Sequence, residues 1–180
     1  GPAAVLVAPG GEIWVADGHR GGNNRVMKFS ADGELLLQLG GGVDDTSRES
    51  GRFNDPHDLK MDSQGRLFVA DRGNNRIQIF DQAGELLDIW TQFGRPSGLW
   101  IDADDRLYAA DGMSGEQWNR GWERGIRIGD ARSGYVTEFI PDYEVQSGSG
   151  IEFLAADRDG NVFAGQVGRQ RFEKYVRVRP

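Results

Sequence analysis

Two side chains able to bind a metal, His57 and Glu152, stand 95 residues apart at one register position of a sequence that repeats itself. That position follows the residue opening each repeat, and in the four copies it holds Ala3, His57, Ser97 and Glu152. An imidazole and a carboxylate converging with one more donor would give zinc a nitrogen and oxygen trio with an open place for water, as catalytic sites require. Each residue also has a plainer use. A histidine after proline at a strand start can simply be hydrogen-bonded in a turn, and Glu152 can pair with an arginine. His19 is the other of the two histidines, and cysteine is absent, so disulfides and thiolate zinc sites are excluded.

The repeat that carries these positions is clearest at Pro56 to Trp90. Its landmarks are Pro56-His57-Asp58-Leu59, Gly65, Leu67-Phe68-Val69-Ala70-Asp71, Asn75-Arg76-Ile77-Gln78-Ile79-Phe80 and Leu86 to Trp90. Moved back 54 residues, they fall on Pro2, Gly11, Val15-Ala16-Asp17 and Asn24-Arg25; moved forward 40, on Pro96, Gly98-Leu99 and Ala110-Asp111. Moved forward 95, they meet Asp157, Gly160, Val162-Phe163-Ala164 and Arg171-Phe172. Short β-branched and aromatic runs separated by Asp-x-x-Gly turns predict hairpins, and no amphipathic helix of ten residues is visible. Four short strands per unit at this period predict propeller blades, at approximately 2–48, 53–91, 93–142 and 149–178 of one all-β domain.

Inside a propeller the position after the opening residue starts the innermost strand and lines the channel. The first unit begins at its innermost strand, and the fourth ends without an outermost one. The expected whole is a six-bladed ring of which four blades are present; a closed four-bladed ring is the competing arrangement. Open blade edges would invite missing blades or self-association.

A net charge of −7, from 21 basic and 28 acidic residues, leaves no electrostatic footprint for nucleic acid. No apolar run reaches membrane-spanning length, and no export signal is visible, although an extracytoplasmic or secreted location is the expectation. Three irregular stretches interrupt the blades: Gly40 to Arg52, Met113 to Arg124 with Trp118 and Trp122, and Pro141 to Ser149. Loops of this kind on a rigid scaffold tend to carry function, although the tryptophans also suit plugging a blade edge.

Val69 to Phe80, reading VADRGNNRIQIF, resembles the core of an NHL repeat. Every blade resembles those of six-bladed NHL propellers related to peptidyl-α-hydroxyglycine α-amidating lyase. Phe53-Asn54-Asp55-Pro56-His57-Asp58-Leu59 is similar to the lyase's Pro-His strand openings, which carry its zinc histidines. Ala16-Asp17-Gly18-His19 resembles its Ser-Asp-Gly-Tyr segment, and Asp71-Arg72 its Asp-Arg segment. The resemblance implies zinc at His57, Arg72 meeting a substrate carboxylate, and these blades as the last four of six. Two positions depart from the family: Glu152 replaces a histidine, and His19 replaces a tyrosine. Glu152 is then a second ligand, and His19 a candidate base or hydrogen-bond donor. Arg72 suits a blade-to-blade ion pair equally well. Asp17, Asp71 and Asp111, with Arg25 and Arg76, recur from blade to blade and read as structural.

Three functions follow. One is a zinc-dependent lyase with an altered site, acting on a peptide or small molecule. Another is a non-catalytic propeller that binds a protein or small ligand through its top-face loops. The third is a lactonase-like calcium propeller, for which only Glu152 is placed.

Overall fold

A computed structural model describes residues 1–20, 22–42, 48–143 and 149–178. Residues 43–47 and 144–148 of the two polar connections lie outside the described set, as do Gly21, Arg179 and Pro180. Among the described residues the regular structure is strand, apart from one 3₁₀ turn at Arg72–Asn74. No helix there is long and apolar enough to cross a membrane.

By their internal contacts the residues form two compact units, Gly1–Thr91 and Gln92–Pro180. The first unit holds two four-stranded sheets. They are β1 (Pro2–Val7), β2 (Ile13–Asp17), β3 (Arg25–Phe29) and β4 (Leu35–Gly40), then β5 (Pro56–Met61), β6 (Leu67–Asp71), β7 (Arg76–Phe80) and β8 (Leu86–Trp90). The second unit holds β9 (Gly98–Ile101), β10 (Arg106–Asp111), β11 (Gly125–Asp130) and β12 (Val136–Pro141), followed by a sheet of β13 (Ile151–Ala156), β14 (Val162–Gln166) and β15 (Arg171–Tyr175). In every sheet, neighbours in sequence are neighbours in space and run antiparallel, the meander of a propeller blade.

The turns form for the reason their composition gives. Asp62 accepts the backbone N–H groups of Gln64 and Arg66 through Oδ1, at 3.0 and 2.8 Å. Gly65 closes that turn at φ +78°, a left-handed conformation that suits glycine. Asp81 with Gly84 and Asp157 with Gly160 repeat the device, and in the third sheet Asp105 takes the glycine's place at φ +59°.

Each unit has its own core. Trp14, Val26, Phe53, Leu59, Leu67, Val69 and Phe80 are buried together in the first. Tyr108, Ile126, Ile128, Ile151, Leu154 and Val162 are buried together in the second. The glycine after the aspartate that ends a second strand lets the next sheet approach. A Cβ on Gly18 would lie 2.2 Å from Pro56 Cδ, and one on Gly112 would lie 2.6 Å from the Ile151 carbonyl oxygen. That approach brings the chain after β2 against the opening of β5, and with it His19 against His57.

Candidate functional site

In three of the four sheets the ladder between the first two strands contains one extra residue at its start. Pro2 pairs with Asp17 and Ala4 with Ala16, so Ala3 is left over. Pro56 pairs with Asp71 but Leu59 with Val69, which leaves His57 and Asp58 opposite a single residue. Ile151 pairs with Gln166 and Phe153 with Gly165, leaving Glu152 over. Such bulges re-aim a side chain out of the strand's alternation. Ala3, His57 and Glu152 therefore share one structural position, each within its own sheet. Ser97 immediately precedes β9, its N–H donating to the Ala110 carbonyl.

In the first unit three of the residues singled out by sequence meet around a fourth. The rings of His19 and His57 lie edge to face, with centroids 5.0 Å apart and planes at 68°. Arg72, at the start of the 3₁₀ turn, donates from Nε and Nη2 to Asp55 Oδ2, at 2.9 and 2.7 Å. The other oxygen of that carboxylate, Oδ1, lies 3.6 Å from His19 Nδ1. Both of these atoms are buried and lack a hydrogen-bond partner. Asp55 is thus the hub of the cluster. Its backbone sits at φ +58°, and its N–H donates to Asn24 Oδ1 at 3.0 Å.

Asp55 was not among the residues that sequence alone brought forward. Its place before Pro56 was a weak signal, because proline disfavours the right-handed helical region in the preceding residue but favours extended backbone over the left-handed conformation found here. Aspartate is among the few side chains that tolerate the left-handed alternative.

Arg72 is 7% exposed, and Asp55 engages two of its nitrogens. Glu152 lies in the second unit, in the bulge of β13. Among the described residues, no three His, Asp or Glu side chains are grouped to hold a metal ion. The donor chemistry of His57 and Glu152, an imidazole and a carboxylate, is of the type zinc accepts.

The recurring aspartates hold the scaffold. Arg25 Nε meets Asp17 Oδ2 at 3.0 Å, Arg76 Nε meets Asp71 Oδ2 at 2.6 Å, and Arg127 Nη1 meets Asp111 Oδ2 at 3.3 Å. Asp71 also accepts the Asn54 N–H and the side-chain amides of Asn74 and Gln78. Burial pushes its carboxyl above the usual range, against the pull of these donors. Burial likewise lowers the Arg127 guanidinium.

The Met113 to Arg124 segment packs on arginines. The Arg95 guanidinium lies 5.0 Å from the Trp118 ring centre, and that of Arg127 lies 4.8 Å from Trp122 and 4.6 Å from Phe139. Trp118 remains 43% exposed, and a cavity of about 390 Å³ opens beside Trp122, Arg124, Pro141 and Tyr143.

The NHL repeat model matches residues 53–80, the segment that carries Asp55, His57 and Arg72. Human NHL repeat-containing protein 3 is 44% identical over 97% of this chain and 49% of its own length. Peptidyl-glycine alpha-amidating monooxygenase B of Xenopus laevis is 31% identical over 92% of this chain and 19% of its own length. The chain therefore spans about half the length of the first of these relatives. The WD40 β-propeller domain of Doa1 superposes with a TM-score of 0.69 over 99% of this chain and 51% of its own, at 9% identity, a likeness of fold alone. The chain thus carries an NHL repeat at residues 53–80 within four antiparallel β-propeller blade sheets, and it is similar over nearly its whole length to NHL repeat-containing protein 3 and to the peptidyl-glycine amidating proteins.

Proposed function

We propose that the His19, Asp55, His57 and Arg72 cluster is the ligand site of an amidating-lyase-like propeller, working on a small molecule or peptide that ends in a carboxylate. The observation that carries this reading is the 5.0 Å approach of the two imidazoles beside a buried arginine and carboxylate. His19 acts as the base. It takes the proton of a substrate hydroxyl, the carbon–oxygen double bond forms as the carbon–nitrogen bond breaks, and His19 passes that proton to the departing nitrogen. An α-hydroxyglycine peptide end would in this way give a peptide amide and an aldehyde acid. Arg72, with its Nε and Nη2 kept on Asp55, meets the substrate carboxylate as its charge partner. Zinc, if carried, rests on His57, with Glu152 its register counterpart in the second unit; it would polarise the hydroxyl as a Lewis acid.

The test is turnover of an α-hydroxyglycine-ended peptide by the complete protein, with and without added zinc. Turnover abolished by His57→Ala supports the reading. Inert wild type, together with an inert His19→Tyr variant, overturns it.

A second reading has its own observation. Partly exposed Trp118, with the cavity beside Trp122 and Tyr143, offers a surface for a protein or small ligand. Retention of ligand binding by His57→Ala and its loss in Trp118→Ala would favour that non-catalytic role.

A further inference from the structure

We infer that Arg72, Asp55 and His19 form a relay in which Asp55 is a positioning residue, fixing His19 as the Nδ1–H tautomer and leaving Nε2 as its proton acceptor. This deepens the lyase-like reading and rests on it for the use made of Nε2. The geometry itself stands without it.

The argument begins from two atoms. His19 Nδ1 and Asp55 Oδ1 are each closed off from solvent and without a hydrogen-bond partner, and they face each other at 3.6 Å. Water cannot satisfy either one in place. A buried polar atom left without a partner is destabilising, so the pair has one inexpensive resolution, a proton carried on Nδ1 and aimed at Oδ1. The remaining gap is a few tenths of an ångström beyond ordinary hydrogen-bond range, which a small ring rotation closes.

Asp55 is held for this task from three directions. Arg72 grips Oδ2 with two nitrogens, which directs Oδ1 toward the imidazole. Asn24 Oδ1 accepts the Asp55 N–H, and Pro56 restrains the chain on the other side. The left-handed backbone at φ +58° is an uncommon conformation for a non-glycine residue, kept by these surroundings. His19 retains 38% side-chain exposure while its Nδ1 is closed off, so its exposed surface lies on the rest of the side chain. A carboxylate that fixes one imidazole nitrogen and frees the other is the arrangement by which general bases are oriented. In the present site an arginine stands behind the carboxylate and balances its charge.

The experiment is long-range ¹H–¹⁵N correlation spectroscopy of the histidines in the 180-residue chain. It is run at about pH 9, where an imidazole of reference pKa ~6.5 is neutral. His19→Gln assigns the signals by deletion. The expected result is a His19 spectrum of the Nδ1–H type, with Nε2 unprotonated. Asp55→Asn is expected to return His19 to the Nε2–H form that dominates in free histidine. A wild-type His19 in the Nε2–H form, or an Nδ1–H form that persists in Asp55→Asn, overturns the relay. The wild-type spectrum decides the matter even if the variant fails to fold.

Turnover is read separately. If the tautomer is as expected and the hydroxyglycine peptide is untouched, the relay stands and the lyase reading fails. If turnover occurs with His19 in the Nε2–H form, the lyase reading stands and the relay fails. Where both hold, Asp55→Asn lowers kcat by about 100-fold, with KM changed much less.

Discussion

Arg72 and Asp55 bury a charge pair whose two side chains are 9% and 15% exposed. Removing one partner from such a pair leaves the other uncompensated, so Arg72→Met is expected to cost about 3 kcal/mol in urea unfolding. Arg120 and Glu116, 83% and 87% exposed, provide the contrast. Arg120→Met should change stability by less than about 0.5 kcal/mol. Equal losses in the two variants would show that Arg72 is not structurally engaged with Asp55. At this scale, sequence discloses what repeats and hides what meets. His57 is legible from register, and the Asp17, Asp71 and Asp111 pairs from their recurrence. Asp55 has no counterpart to betray it, and its partners are distant in sequence. Arg72 lies 17 residues away, and His19 lies in the turn that follows the second strand of the preceding sheet.

The hairpins are the elements that a sequence reads best, because the Asp-x-x-Gly turn and the strand runs around it are local. The Asn161 side-chain hydrogen bond, foremost among its causes, holds the Asp157 carboxyl below its usual range. A carboxylate with a depressed folded-state pKa contributes stability that is full above its unfolded pKa of about 3.9 and is lost as pH falls through the folded value. The melting temperature of wild type should therefore exceed that of Asp157→Ala at about pH 7, and the gap should narrow toward about pH 2. A gap that does not change with pH would refute this account. Closer packing is tested at Gly112, where an added Cβ meets the backbone of Ile151. Gly112→Ala should cost about 2 kcal/mol, measured by chemical denaturation, because that neighbour cannot turn aside. The bulges are the part of the element scale that sequence does not show. A one-residue excess is visible only when both strands of a ladder are placed, and alignment of the repeats alone absorbs it silently.

For the whole molecule, the blade count and the strand order follow from the period. What the period does not state is which apolar residues lack cover. Val5 and Val7 are 68% and 65% exposed on one face of β1, opposite Val15 and Ile13 of β2. Adjacent apolar side chains of this kind mark surfaces that associate. Light scattering across a concentration series is expected to show self-association that the double change Val5→Glu with Val7→Glu reduces. Identical profiles for the two proteins would remove β1 from consideration. The charge of −7 acts in the other direction, because like-charged copies repel one another.

The extra residue at the mouth of three inner strands has a consequence for how such a protein can change over generations. Ala3, His57 and Glu152 sit where the ladder has already released its hold, so a different side chain there leaves the flanking pairs in place. A lineage can thus trade an imidazole for a carboxylate or a methyl group while the scaffold stays as it was. An engineer can do the same, and Ala3→His is the first graft to attempt.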